Sequence, residues 1–277
     1  MRDPYARYLH LLGFDHSPCG LEGLRQLVRA HILVVPFENV SKLLLFDKER
    51  RGREISLTEF LDGIERDDLG GTCYTSNPFF AELLRELGYD ALLLGADMNH
   101  CNVHTSIRVH LDGISYHIDC GYASPFLEPI RLDRLPHEIR RGNLCWLFDQ
   151  ASDHRLAMRL YCDGQQVHGY AVNEIPRERH FFRATVEDSF RAHSTFMKLL
   201  RLVRIFPEHT VELRNRTLRV HRGLEISERT LDSIDDLRQA VNDEFLMPRC
   251  PIEKAVEILE SLTGVSYAQL EDRSLYA

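Results

Sequence analysis

Residues 103–121 read Val-His-Thr-Ser-Ile-Arg-Val-His-Leu-Asp-Gly-Ile-Ser-Tyr-His-Ile-Asp-Cys-Gly, and they constrain the fold more than any other stretch. Asp112-Gly113 sits between two alternating runs. A two-residue type I′ turn needs positive φ at both central positions, which Asp-Gly adopts readily. The turn predicts a β-hairpin in which Leu111 faces Ile114 and paired residue numbers sum to 225. Ser106 then stands opposite Asp119. His104, two residues along the same face, is the diagonal neighbour of Asp119, ~7–8 Å away at the backbone and within side-chain reach. One face carries His104, Ser106, Arg108, His110, Ser115, His117 and Asp119. The other carries Val103, Thr105, Ile107, Val109, Leu111, Ile114, Tyr116, Ile118 and Cys120. A half-buried hairpin with one wet face explains this pattern without any chemistry. The pair gains chemical meaning if a nucleophile faces the polar side.

The flanking sequence places the hairpin in an α+β chain. Leu21, Leu24, Val28 and His31 share a helical face, and Pro36 ends that pattern. Phe80, Leu83, Leu84 and Leu87 form another, with Gly88 as its stop. From about 91 to 185 short alternating segments are broken by Asp-Gly at 112 and 163 and by Pro125, Pro129 and Pro136, which reads as β structure. Val211 and Leu213 with Leu218 and Val220 predict a hairpin around Asn215-Arg216. Ser233 to Asp236 is a capping box opening a helix through Leu237, Ala240, Val241 and Phe245. Ile252, Ala255, Val256 and Leu259 begin a last helix. The expected division is 1–90 helical and carrying a nucleophile, 91–190 β and carrying His and Asp, and 191–277 mixed α/β.

Composition bounds the function classes. Thirty-four Lys and Arg against 42 Asp and Glu leave a net charge of −8, which disfavours nucleic acid or an anionic membrane as partner. No apolar run approaches the roughly 18 residues of a membrane span, and no signal segment opens the sequence. Seven scattered cysteines with no CxxC pair suggest reduced thiols in a cytoplasmic protein. His100, Cys101 and Cys120 lack the spacing of a metal site, and none is expected. Against the net charge, residues 195–222 hold Lys198, Arg201, Arg204, Arg214, Arg216, Arg219 and Arg222 with only Glu208 and Glu212, a local +5. That stretch is the first place to seek a polyanion, although a solvated charged hairpin explains it equally well.

One cysteine stands in a distinctive setting. Leu69-Gly-Gly-Thr-Cys73-Tyr-Thr-Ser-Asn77 precedes a helix. Glycines let the backbone turn sharply, and a Cys at a helix N-terminus gains thiolate character from the exposed amides. The helix starts either at Thr72, which puts Pro78 inside it, or near Ser76, which leaves Cys73 in the preceding turn. Packing as a small hydrophobe is the ordinary role of any single Cys.

Gly70-Gly71-Thr72-Cys73 with Asn77, Pro36-Phe37-Glu38-Asn39, His104 at a strand start, and Asp119 followed by Gly121-Tyr122 occur in that setting together. In these motifs the chain resembles the arylamine N-acetyltransferases, which carry Arg-Gly-Gly-x-Cys-x-x-x-Asn, Pro-Phe-Glu-Asn and Asp-x-Gly-Phe segments. The resemblance covers nearly the whole chain. It implies a helical bundle, a central β-barrel and a C-terminal α/β lid, with a catalytic core like that of cysteine proteases and transglutaminases. By position it implies a triad of Cys73, His104 and Asp119. Cys73 would take an acyl group from acetyl-CoA or another acyl-CoA co-substrate and pass it to an arylamine or hydrazine. No permanently bound cofactor is implied, and a homo-oligomer is left open. Gly121, Ala123 and Ser124 lie where the thioester arm would approach. Phe37, Tyr74, Tyr122 and Phe126 are candidate acceptor walls, of which Phe37 and Phe126 are equally explained by core packing.

The chain departs from the family pattern at four places. Leu69 replaces the Arg before Gly-Gly, which leaves Glu38 to find another partner, be solvated or be protonated. Thr75 stands two residues after the Cys, Pro78 lies beyond it, and Gly121-Tyr122-Ala123-Ser124 replaces Gly-Phe-Gly-Gly. The altered loop and the missing Arg keep open an amide synthase using carrier-protein or other thioesters; a catalytically silent binding module is a further alternative, and a cysteine hydrolase fits the order of the motifs less well.

Overall fold

A computed structural model describes residues 2–270; Met1 and residues 271–277, the end of the segment read as a lid, lie outside the described residues. Its helices are α1 (Asp3–Leu11), α2 (Gly20–Val34), α3 (Val40–Glu49), α4 (Leu57–Asp67), α5 (Cys73–Glu86), α6 (Arg183–Asp188), α7 (Ile234–Asp243) and α8 (Ile252–Thr263). Its strands are β1 (Phe37–Glu38), β2 (Asp90–Asp97), β3 (His104–Leu111), β4 (Ile114–Ile118), β5 (Ile130–Arg131), β6 (His137–Arg141), β7 (Leu144–Gln150), β8 (Leu156–Cys162), β9 (Gln165–Pro176), β10 (Arg201–Ile205), β11 (His209–Arg214), β12 (Thr217–Arg222) and β13 (Glu225–Thr230). The chain is α+β, as expected.

Contacts gather it into two interleaved units. One comprises residues 2–34 and Cys73–Phe182, the other Val35–Thr72 and residues 183–270. The first holds α1, α2, α5 and an antiparallel eight-stranded sheet in the order β5-β4-β3-β2-β9-β8-β7-β6, curled into a nearly closed barrel. The second holds α3, α4 and α6–α8 with a five-stranded sheet in the order β1-β10-β11-β12-β13.

The predicted hairpin forms β3 and β4. Asp112 and Gly113 take φ of 52° and 76°, Leu111 pairs with Ile114, and Ile107 pairs with Ile118, so the register is the one the turn dictates. Its polar face is not wet, however. His104, Ser106, His117 and Asp119 are buried, because that face turns into the barrel against Tyr170 and Phe148. The apolar face packs under α5. In α5, Phe79, Phe80, Leu83 and Leu84 are buried and fix the helix on the sheet. Removing one such side chain costs about 2–5 kcal/mol. The helix starts at Cys73 and runs through Pro78, so the Ser76 start is not the one adopted. The Pro78 ring nitrogen has no proton to donate back to the Tyr74 carbonyl.

In the second unit the hairpin around Asn215-Arg216 joins β11 to β12 with Arg214 opposite Thr217. Both halves of the Ser233–Asp236 capping box form. The helix ends at Asp243, two residues short of Phe245, whose buried ring follows the last turn.

Candidate active site

Cys73 is the first residue of α5 and is only 8% exposed. As the first helical residue its N–H has no partner within the helix. Its carbonyl accepts a hydrogen bond from Thr105 Oγ1 on β3 (2.7 Å), which ties the helix start to the strand that opens with His104. Asn77, one turn along α5, completes the attachment. Its Nδ2 donates to the Thr105 carbonyl (2.5 Å) and to Asp119 Oδ1 (2.9 Å), and its Oδ1 accepts from the Cys120 amide (2.8 Å).

The diagonal pair of the hairpin meets. His104 Nε2 donates to Asp119 Oδ2 at 2.7 Å, with both side chains buried. The other ring nitrogen is left for the Cys73 thiol, which acts electrostatically on the imidazole. Burial by itself would lower the His104 pKa, but the Asp119 carboxylate and Cys73 raise it above the usual histidine range. Burial would likewise raise Asp119, and the His104 cation and its hydrogen bonds hold it low. Asp119 Oδ1 also accepts from the Gly121 amide (2.9 Å).

The loop after Asp119 passes close to the start of α5 at Cys73. A Cβ at Gly121 would lie 2.5 Å from Cys73 Cα, so only glycine allows this approach. Ala123 takes φ of 62°, a left-handed conformation that costs a residue with a Cβ about 1–2 kcal/mol. Ser124 is buried. Tyr122 sets its ring edge-on to His104 (5.7 Å between centroids), stacks on Phe126 (6.0 Å), and hydrogen-bonds His168 through its hydroxyl (2.5 Å). Phe126 is fully covered, with Phe148 and Trp146 on its other sides. Tyr74 donates its hydroxyl to the Asn102 carbonyl (3.1 Å) and packs on Phe182; burial and Cys73 raise its pKa. Phe37 belongs to the other unit, on β1, where its ring meets Phe196.

Within that second unit Glu38 is fully buried. It has no arginine, yet it is not unpartnered. Its Oε1 accepts from the Gly70 amide (3.0 Å) and its Oε2 from the Ser41 amide (2.8 Å) at the start of α3. Burial raises its pKa while these amides work against the rise. A Cβ at Gly70 would lie 1.9 Å from the Pro36 carbonyl oxygen, and the Glu38 amide donates to the Gly71 carbonyl (3.0 Å). Backbone amides therefore replace the missing side chain and fix the turn that leads to Cys73.

The model of the N-acetyltransferase family matches residues 20–248. The chain belongs to the arylamine N-acetyltransferase family. It is an acyltransferase. Among curated relatives, proansamycin X synthase of Amycolatopsis mediterranei is 28% identical over 202 residues, 67% of this chain and 73% of that protein. Arylamine N-acetyltransferase 2 of Rattus norvegicus is 25% identical over 215 residues, 69% and 71% of the two chains. The fold matches that of the Mycobacterium marinum arylamine N-acetyltransferase in complex with CoA, with a TM-score of 0.79 at 19% identity over 94% of this chain and 99% of that one.

Tyr170 and His168 beside the candidate site escaped the sequence reading, and His117 was read only as part of the hairpin's polar face. Tyr170, buried on β9, lays its ring on His104 (4.9 Å) and meets His117 Nε2 through its hydroxyl (2.9 Å); burial and the Asp119 carboxylate raise its pKa. His117 was visible on the polar face of the hairpin; burial lowers its pKa to about 4. His168 and Tyr170 arrive through β9, which pairs with β2 beside β3, and nothing local marks them. The +5 stretch is offset by acidic residues within and outside it: Arg201 pairs with Glu212 (2.9 Å), Arg219 with Glu228 and Arg216 with Asp232 (2.6 Å). A charged cleft of about 510 Å³ lined by Arg2, Arg85, Arg179, Glu82, Glu86 and Glu178 includes none of the Cys73 group, and its charges pair with one another. Among the described residues no group of His, Cys, Asp and Glu is arranged to hold a metal, and no helix is long and apolar enough to cross a membrane.

Proposed function

We propose that the chain transfers an acyl group from an acyl thioester, acetyl-CoA or a related donor, through Cys73 to an aromatic amine or hydrazine. The observation that carries this reading is the buried His104 Nε2 to Asp119 Oδ2 bond at 2.7 Å, with Cys73 at the start of α5 tied to the same strand by Thr105. The Cys73 thiolate attacks the thioester carbonyl, and the S-acyl bond forms as the carbon–sulfur bond to the donor breaks. His104 gives its proton to the leaving thiolate. The amine then attacks the acyl-enzyme, His104 takes a proton from the nitrogen, and Cys73 leaves as thiolate. Asp119 holds the imidazole in the required tautomer. The Cys73 amide at the start of α5 is a donor for the tetrahedral oxyanion. Gly121, Ala123 and Ser124 border the thioester, and Tyr74 and Tyr122 border the acceptor.

The similarity to a protein named proansamycin X synthase favours a second reading, in which the donor is a larger acyl thioester and the product a biosynthetic amide. Intact-mass measurement separates the two. Cys73 should gain an acetyl group from acetyl-CoA within one turnover, and Cys73→Ala should gain none. Acylation only by N-acetylcysteamine thioesters of larger acids selects the amide synthase. No acylation by any thioester refutes both.

A further inference from the structure

His168 and Tyr170 are two residues apart on β9 and face the same way. Tyr170 serves His104 and Asp119, while His168 takes the Tyr122 hydroxyl (2.5 Å). Tyr122 in turn stands edge-on to His104, so His168 sits one ring beyond the reacting centre. The Tyr122 hydroxyl has no counterpart in the Asp-x-Gly-Phe pattern, and His168 gives it a partner inside an otherwise aromatic wall. Burial and the nearby His104 lower the His168 pKa, so the ring is neutral at pH 7. In a neutral imidazole, accepting the phenol proton at Nδ1 fixes the remaining proton on Nε2. That N–H has no protein partner among the described residues, and the ring is only half-buried. A half-buried donor beside a reacting centre is satisfied by water or by substrate.

We infer that His168, with Tyr122, forms a polar subsite that receives a neutral hydroxyl or carbonyl oxygen of the substrate. The inference rests on the proposed acyl transfer and narrows its substrates. An uncharged donor beside an uncharged phenol suits a neutral acceptor atom better than a carboxylate, and the Tyr122 and Tyr170 rings hold the flat or apolar remainder. The oxygen belongs either to the amine or to the acyl chain, and paired substrates of equal shape tell them apart. One arm follows deacylation of the acetyl-enzyme by 3-hydroxyaniline against 3-methylaniline. The other follows Cys73 acylation by 3-hydroxybutyryl-CoA against 3-methylbutyryl-CoA, by intact mass. In one arm the hydroxyl substrate should react about tenfold faster, the value of one hydrogen bond realised on binding. His168→Leu should bring that ratio to near one, and His168→Gln, which can present an N–H at a similar distance, should restore most of it. Should His168→Leu fold poorly, Tyr122→Phe offers the same readout, because it frees Nδ1 and unsettles the tautomer. A ratio near one in both wild-type arms overturns the subsite while leaving Cys73 acylation intact. A ratio that survives His168→Leu overturns it as well. If neither thioester acylates Cys73, the proposed function falls and the subsite with it.

Discussion

The two ends of the β3–β4 hairpin carry the same kinds of residue on the same face and meet opposite fates. At the outer end, next to the turn, His110 Nδ1 meets Ser115 Oγ (2.8 Å) in solvent, and Arg108 pairs with the half-exposed Glu174. At the inner end His104 meets Asp119 in full burial, with His117, Tyr170 and Asn77 supplying the remaining contacts. Residue type and register do not distinguish the ends. The inner end differs because α5 and β9 cover it, remove water, and bring partners that make an ion pair affordable there. Polar side chains on a strand become a site only where other elements enclose them.

Mutating one residue at each end tests that contrast most sharply. Asp119→Asn should lower the acylation rate of Cys73 by about 10⁴, because an amide no longer holds the His104 tautomer. His110→Gln should change the same rate by less than about twofold and the unfolding free energy by under about 0.5 kcal/mol. Rapid-quench acylation with mass detection measures the first, equilibrium unfolding the second. Comparable losses at both ends would mean that enclosure is not what separates them.

How much of this arrangement the sequence disclosed follows from where each determinant lies. The His104–Asp119 pairing was legible because one local turn, Asp112-Gly113, sets the register of every residue in the hairpin. The burial of its polar face was not, since that depends on β9, more than fifty residues away. Tyr170 and His168 were missed for the same reason. Pro78 left the start of α5 ambiguous, because propensity cannot weigh a lost backbone bond against the packing of Phe79, Phe80, Leu83 and Leu84. The partner of Glu38 was invisible because it is backbone, and amides leave no mark in a sequence. The local +5 of residues 195–222 did not disclose that Glu228 and Asp232, outside the window, pair with two of its arginines. Finally, residues 35–72 group with residues 183–270, an association that reading in chain order does not disclose.

Within the inner end, two histidines of the same face shift in opposite directions. His104 is raised by the Asp119 carboxylate, so its contribution to stability is full below the unfolded pKa of about 6.5 and is lost as pH rises through its folded value. His117 is lowered to about 4 by burial without an ion-pair partner of its own. For His117 the unfolded chain binds the extra proton, so stability is full above pH about 6.5 and falls as pH drops toward 4, by about 3 kcal/mol in all. The buried His31, lowered to about 3, adds to the same acid loss. The difference between wild type and His117→Gln isolates one group. The variant should lose about 3 kcal/mol less than wild type between pH 6.5 and 4, by urea midpoints at each pH. Parallel curves would show that His117 is already charged in the fold.

The two glycines that bracket β4 carry the contrast down to the backbone. Gly113, at the turn, has nothing within 4 Å of a would-be Cβ, but its φ is 76°. Gly113→Ala therefore meets only left-handed strain, about 1 kcal/mol. Gly121, at the inner end, has no such φ restriction, but its Cβ would stand 2.5 Å from Cys73 Cα and 2.9 Å from Asn77 Nδ2. The first of those atoms is backbone at the start of α5, held by Thr105, and cannot swing aside as a flexible side chain would. Gly121→Ala should therefore cost about 2–3 kcal/mol by overpacking. It should also slow Cys73 acylation, because the shift it forces moves the sulfur against His104. Gly113→Ala should leave acylation unchanged at a temperature where both variants remain folded. An equal loss of acylation in the two variants would mean that the turn, and not the approach of the loop to α5, sets the position of the sulfur.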